Sequence, residues 1–355
     1  MSRFFSNKFK NLEAYTPGEQ PKDMKYIKLN TNESPYPPSE SVIAAATEEA
    51  GRLQLYSDPE STPLVEALAS LLDVDKRCVI TTNGSDEVLN FAFMAFCDEE
   101  HPIVFPDITY GFYPVFANLN GIPYSEIPLC DDFSINYRDY LGIGKNIVIA
   151  NPNAPTGHCL SLSEIEQIVK SNPNNIVVID EAYVDFGGES AIPLIKKYDN
   201  LLVTGTFSKS RSLAGARLGF GVACEALISD LNTIKYSTNP YNVNRMTMMA
   251  GYSAICDNAY YMENCKKIIE TREYTREKLI SLGFKVLPSK ANFLFAESDK
   301  ISGEELYLAL KNRGILVRHF KKEKIKNYNR ITIGTREEMD AFILAVTDIL
   351  KEKKA

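Results

Sequence analysis

Between residues 78 and 223 six short apolar runs recur, separated by amphipathic segments, and this alternation constrains the fold more than any other feature. The runs are Cys78 to Thr82, Ile103 to Phe105, Ile147 to Ala150, Ile176 to Asp180, Leu201 to Gly205 and Leu218 to Ala223. Several are apolar almost throughout, as strands covered on both faces must be. The segments between them carry helical periodicity, for example Glu87 to Phe96 and Ser163 to Lys170, the second with a capping box of Ser163 and Glu166. The pattern predicts an α/β protein whose large domain is a three-layer α/β/α sandwich around a mostly parallel sheet. Ligands of such sheets sit beyond the carboxyl ends of the strands.

The flanks read differently. Up to about Ser41 the chain is irregular and rich in proline, yet Ile27, Leu29 and Tyr36 predict an arm that docks rather than frays. Helices are predicted from Glu40 to Leu53 and from Thr62 to Leu72. Beyond about Tyr236 a long helical region runs to Leu282. Two strand-like runs follow, Phe284 to Leu287 and Asn292 to Ala296, then a helix capped by Ser302 and Glu305. Strands Ile315 to Arg318 and Arg330 to Ile333 lead to a last helix capped by Thr335 and Glu338. This is a smaller α+β domain. The division predicted is 1–40 as arm and part of the small domain, 41–240 as the large domain, and 241–355 as linking helix and small domain. A chain of 355 residues suits two domains.

A net charge of −7 speaks against a nucleic-acid partner, and no apolar run approaches membrane-spanning length. Seven cysteines lack any CxxC pairing, and there are only three histidines. That fits reduced thiols in a cytoplasmic protein without a metal centre. The first residues carry charge throughout and lack the apolar segment of a secretory signal.

The chemistry gathers at strand ends. Thr204 to Phe220 reads TGTFSKSRSLAGARLGF. A lysine held among small residues away from water can lose its proton and attack a carbonyl. Thr206, Ser208 and Arg217 supply hydroxyls and a forked cation for a phosphate monoester. An amine for an aldehyde beside donors for a phosphate describes a pocket for pyridoxal 5′-phosphate; a plain surface Ser-Lys turn fits the stretch equally. Four motifs precede it. Asn83 to Glu87 (NGSDE) opens a helix and can cradle a phosphate, or be an ordinary N-cap. Tyr110 ends a strand and can stack on a flat ring, or simply pack. Asn151 to Gly157 (NPNAPTG) is a rigid turn whose asparagine can donate to a phenolate, or a plain loop. Asp180, closing the apolar run IVVID, needs a partner such as a protonated pyridine nitrogen, or caps the next turn.

Taken in order, these motifs identify a family. The chain resembles the class I/II pyridoxal-phosphate aminotransferases with the aspartate aminotransferase fold, from LNTNESPYPP through YSDPES, NGSDE, NPNAPTG, DEAYVDF and TFSKSRSLAGARLGF to RITIGTREE. SLAGARLGF, PYNVN, LVRHF and RITIGTREE point to the subgroup acting on histidinol phosphate and 2-oxoglutarate. The resemblance implies the following roles. Lys209 attaches the cofactor and shuttles the substrate proton. Asp180 pairs with the pyridine nitrogen, Tyr183 binds the ring O3′, and Tyr110 stacks on the ring. Gly84, Ser85 and Asp86 form the phosphate turn, with Ser208 and Arg217. Tyr56 reaches the cofactor of a second subunit, which implies a homodimer with shared sites. Arg330 and Arg318 take the carboxylate or phosphate of the substrate. The family carries asparagine directly before Pro-Thr-Gly, where this chain has Ala154; Asn153 is the nearest substitute. An aromatic amino acid aminotransferase and a threonine-phosphate decarboxylase share the fold and stay open at this stage. Tyr15 and Tyr36 are candidates to grip the imidazole.

Overall fold

In the computed structural model, which describes residues 2–10 and 12–353, the segment IKL forms the first strand, β1 (Ile27–Leu29). Two helices follow, α1 (Glu40–Ala50) and α2 (Thr62–Leu72). The alternating region then gives β2 (Val79–Thr82), α3 (Ser85–Phe96), β3 (Ile103–Pro106), α4 (Tyr113–Asn120) and β4 (Tyr124–Ile127). It continues with β5 (Asn146–Ala150), α5 (Leu162–Ser171), β6 (Val177–Asp180), β7 (Leu201–Thr206) and β8 (Gly219–Val222). These seven strands, β2 to β8, form one sheet in the order β2-β8-β7-β6-β5-β3-β4. All neighbours are parallel except at β8, which runs antiparallel to both β2 and β7. The reversal arises because β8 returns directly from the turn after β7 without a crossover helix. Val148, Val178 and Leu202 pack under one face, and Ile149, Ile179 and Val203 under the other, so the central strands are buried on both sides.

Three helices link this sheet to the next: α6 (Glu225–Thr238), α7 (Arg245–Cys256) and α8 (Asn258–Ser281). The remaining elements are β9 (Lys285–Val286), β10 (Phe293–Glu297), α9 (Gly303–Asn312), β11 (Ile315–His319), β12 (Asn329–Thr332) and α10 (Arg336–Glu352). The second sheet has the order β1-β11-β12-β10-β9. Its edge is β1, parallel to β11 with Ile27 opposite Ile315 and Leu29 opposite Val317. The arm docks through Ile27 and Leu29, as their apolar character predicts.

Four local features depart from the sequence reading. The capping box of α5 is Ser161 with Glu164, two residues earlier than Ser163 with Glu166. Both pairs satisfy the pattern. Asn151 decides between them by binding Leu160 through both its backbone groups, which leaves Ser161 extended and free to cap. The long helical region is interrupted at Asp257, whose carboxylate accepts the Ser39 and Ser41 hydroxyls. Helix α6 carries no strong apolar period and was not predicted. Strand β4 lies at the sheet edge with mostly exposed residues, so it lacks the apolar run that marks its neighbours.

Candidate active site

The carboxyl ends of the parallel strands point toward the second sheet, and two cavities with shared lining residues lie there. The inner one, about 260 Å³, is lined by Asp180, Tyr183, Lys209, Tyr110, Ser208 and Arg217 among others. The outer one, about 510 Å³, shares Tyr110, Tyr183 and Lys209 and adds Arg330, Arg318 and Tyr15.

Lys209 follows β7, in the turn that β8 requires for its return. Its Nζ donates to the Thr31 carbonyl at 3.1 Å and lies 5.9 Å from the centroid of the Tyr183 ring. Burial, with the nearby Arg330 cation, lowers its pKa to about 8. The bulk of the chain thus leaves this amine close to losing its proton under ordinary conditions, as a nucleophile requires.

Asp180 ends β6, a strand buried on both faces, and so its carboxylate is buried as well. Tyr113 donates to it at 2.9 Å and Thr204 at 3.3 Å, and the Ala182 N–H also reaches it at 3.3 Å. No cation contacts it among the described residues. Burial raises its pKa to about 6. A buried carboxylate with neutral donors and no counter-charge, facing a cavity, suits a protonated ring nitrogen. Its chain neighbour Glu181 is buried facing away, accepts from Ser190 and from the Ala191 N–H at 2.6 Å each, and is pushed by burial to about 8.

At the other end of the inner cavity, α3 starts at Gly84 with no side-chain cap, leaving its first N–H groups for an anion. Gly84 has φ +85°, and a Cβ there would come within 2.7 Å of the Arg217 guanidinium. Gly219, at the start of β8, lies so close behind that a Cβ would run into Ser85 N and Gly84 C. The turn, the return strand and the arginine are therefore one cradle. Arg217 Nη2 donates to Asp86 at 2.9 Å, and Tyr110 donates to the other Asp86 oxygen at 2.7 Å. Thr206 donates to Ser208 at 3.0 Å beside them. The residues present fit a flat, phosphate-bearing pyridine: an acid at one end, an amine midway, and a glycine turn with arginine and hydroxyls at the other.

In the outer cavity Arg330, on β12, donates from Nη2 to the Asn30 carbonyl at 2.9 Å, while its buried Nε has no partner. Phe293 lies 5.5 Å beneath its guanidinium. Arg318, on β11, donates to the Thr16 and Pro17 carbonyls at 3.3 Å each. Tyr15 stacks on Phe112 at 4.2 Å in the wall of this cavity.

Two predicted residues lie elsewhere. Asn153 is fully buried and turned away: its carboxamide accepts from Thr109 at 2.8 Å and donates to the Ile108 carbonyl at 2.9 Å and Thr156 at 3.1 Å. Ala154 lines the inner cavity instead, so the expected donation from Asn153 has no geometric support. Its donors are consumed in holding the turn. Tyr56 is 79% exposed, stacks on Tyr241 at 4.5 Å and lines neither cavity of its own chain. The sequence reading missed Tyr113, which holds Asp180, and the segment from Thr31 to Glu33, which wraps Lys209 and Tyr183. The dense polar run NTNES, directly after a docking strand, was the available signal for the latter.

The sequence profile described as "Aminotransferase class I and II" matches residues 24–346. The chain belongs to this family. It is 53% identical over 353 residues, 99% of its length and 100% of the relative's, to a protein named histidinol-phosphate aminotransferase from Brachyspira hyodysenteriae. It is 49% identical, over 99% of both chains, to histidinol-phosphate aminotransferase 2 of Dechloromonas aromatica. The fold matches the crystal structure of histidinol-phosphate aminotransferase from Sinorhizobium meliloti in complex with pyridoxal-5′-phosphate, with TM-score 0.89, 23% identity and 99% of each chain covered.

Proposed function

We propose that the protein transfers an amino group between histidinol phosphate and 2-oxoglutarate, giving imidazole-acetol phosphate and glutamate, as one step of histidine biosynthesis. The observation that carries this reading is the position of Lys209 between a cation-free buried acid, Asp180, and the anion-binding arginines of the outer cavity. The full-length similarity to proteins named for that substrate supports it.

Pyridoxal 5′-phosphate, when bound, supplies an aldehyde that carries the amino group and a ring that takes up negative charge. The residues do the rest. Lys209 would hold the cofactor through its amine and would move the proton at the substrate Cα, a task its lowered pKa suits. Asp180 would hold a proton at the ring nitrogen, steadied by Tyr113 and Thr204. Tyr183 would donate to the ring O3′, and the Tyr110 ring would cover one face of it. Gly84, Ser85, Thr206, Ser208 and Arg217 hold the phosphate, with Asp86 aligning Arg217. Arg330 takes the carboxylate of glutamate or the phosphate of the imidazole substrate, since a planar fork matches both anions, and Arg318 adds a second contact to the phosphate.

The exposed Tyr56–Tyr241 stack belongs, in this reading, to the interface of a homodimer in which Tyr56 completes the partner's phosphate site. Residues 41–240 form the cofactor-holding domain, and residues 1–40 with 241–355 the arm and small domain. No helix among the described residues is long and apolar enough to cross a membrane. We place the enzyme in the cytoplasm, in keeping with its free cysteines.

The test is a scan of half-reactions. The protein is loaded with pyridoxal phosphate, donors are added singly, and the visible band of the lysine-bound cofactor is followed. Rapid bleaching by histidinol phosphate and by glutamate is expected. Bleaching by phenylalanine or tyrosine alone would assign an aromatic substrate, and release of carbon dioxide from threonine phosphate would assign a decarboxylase.

A further inference from the structure

With Ala154 where the family carries asparagine, Tyr183 is the one side chain left to donate to the cofactor's phenolate oxygen. What sets the direction of its hydroxyl hydrogen is then decisive. Asn32 lies in the segment that wraps the site, buried and held at φ +56°. Its Nδ2 donates to Tyr183 Oη at 2.9 Å. Its Oδ1 accepts from Thr332 Oγ1 at 2.9 Å, and its backbone N–H donates to the same Oγ1 at 3.0 Å. Its carbonyl accepts from Asn292 Nδ2 at 3.0 Å.

This network fixes which way the Asn32 amide faces. Thr332 Oγ1 accepts the Asn32 backbone N–H and has its own hydrogen to place; Asn32 Oδ1 is the acceptor it meets. The amide oxygen therefore faces Thr332, and the NH₂ faces Tyr183. A tyrosine oxygen that accepts from an NH₂ keeps its own hydrogen for another partner. Among the described residues no acceptor takes that hydrogen, and Tyr183 lines the inner cavity.

We infer that Asn32 is a positioning residue: by donating to Tyr183 Oη, it commits the tyrosine hydroxyl to donate into the cofactor cavity, and so replaces the missing asparagine's effect at position 154 indirectly. Thr332, on a strand of the other sheet, locks the amide in that sense. The inference rests on the cofactor reading above.

The positive φ of Asn32 dictates the variants. Gly and Asp both tolerate φ +56°, so Asn32→Gly removes the side chain, and Asn32→Asp inverts its polarity, with little backbone cost. The readout is the pH midpoint of the visible absorption of the cofactor-loaded protein, taken without substrate. Loss of a donor to the phenolate makes that oxygen more basic and raises the midpoint. Tyr183→Phe should raise it by about one unit or more, the scale of one charge-assisted hydrogen bond. Asn32→Gly should raise it by a fraction of that. Asn32→Asp should approach Tyr183→Phe, because a carboxylate oxygen accepts the tyrosine hydrogen and draws it out of the cavity. In the Tyr183→Phe background, Asn32→Gly should add nothing. Thr332→Val, which suits a strand and leaves Asn32 intact, should shift the midpoint in the same direction and serves if the Asn32 variants fold poorly. A wild-type midpoint in both Asn32→Gly and Thr332→Val, or full additivity with Tyr183→Phe, would overturn the inference. Absence of any visible band in the wild-type protein would overturn the cofactor reading instead.

Discussion

The two cavities share a lysine but are built by different rules. The inner one is framed by strand-end turns of one sheet, with the segment at Thr31 and Glu33 closing over it: Asp180 closes β6, Lys209 follows β7, and Gly84 opens α3 after β2. Each of these residues sits at a strand end or helix start, although Lys209 and Asp180 also bind the more distant Thr31 carbonyl and Tyr113 hydroxyl. The outer one joins segments far apart in sequence, with Arg330 binding the carbonyl of Asn30 and Arg318 those of Thr16 and Pro17. The inner wall carries an acid raised and an amine lowered chiefly by burial, while the outer wall adds two planar guanidinium groups. Under the proposed function, the reaction chemistry would fall to the strand-end residues and the choice of substrate to the arginines of the outer wall.

The largest effect should come from the residue the cavities share. Lys209→Ala should lower turnover by about 10⁴-fold or more, since it removes both the attaching amine and the proton carrier; appreciable steady-state transamination by that variant would end the mechanism. Asp180→Asn keeps the shape of the inner wall and removes the charge. It should lower kcat by roughly 10²-fold or more with little change in KM for either substrate, and a change confined to KM would move Asp180 out of the chemistry.

The outer wall should answer in KM. Arg330→Ala should raise KM for glutamate and for histidinol phosphate by roughly tenfold or more, the scale of a charge-assisted hydrogen bond. Arg318→Ala should raise KM for histidinol phosphate alone. If Arg330→Ala weakens only glutamate, the two anions do not share one site, and the comparison between the cavities needs redrawing.

The smallest effect is the most diagnostic of the division. In the cofactor-free protein Asp180 is raised from 3.8 to about 6 and Glu181 from 4.5 to about 8. Between those limits the folded chain keeps protons that the unfolded chain has lost, so stability falls as pH rises. Lys209 is lowered from 10.5 to about 8, so between about 8 and 10.5 the unfolded chain holds the extra proton and stability rises with pH. Denaturant titrations should therefore show a shallow stability minimum near pH 8. Lys209→Met should flatten its alkaline limb, and Arg330→Ala should shorten it in part, since the Arg330 cation contributes to the lowering after burial. An alkaline limb unchanged in Lys209→Met would remove the buried neutral amine from the account.

This division also explains what could be read from the sequence. Lys209, Asp180, Tyr183, Tyr110, Arg217 and the glycine turn stand at strand ends in short motifs, so the alternating pattern that gave the fold also gave their positions. The second sheet was legible as a smaller α+β domain through its capping boxes and short apolar runs. The contacts of Asn32 and the saturation of Asn153 were not legible, because each depends on partners remote in sequence: Tyr183 and Thr332 for the one, Ile108 and Thr109 for the other. Residue type alone gave Asn153 a free amide, and the fold spends it on holding the loop. The break at Asp257 has the same origin, since Ser39 and Ser41 lie more than two hundred positions upstream.

The contact between Gly219 and the Gly84–Ser85 turn limits which substitutions the chain can take. No side chain can enter at position 219 without moving the turn, so the two positions are sterically tied and a change at one calls for a change at the other. Residues 318 and 330 are not part of that pair. Substitutions in the outer wall can therefore reshape that cavity while the turn before α3 keeps its geometry.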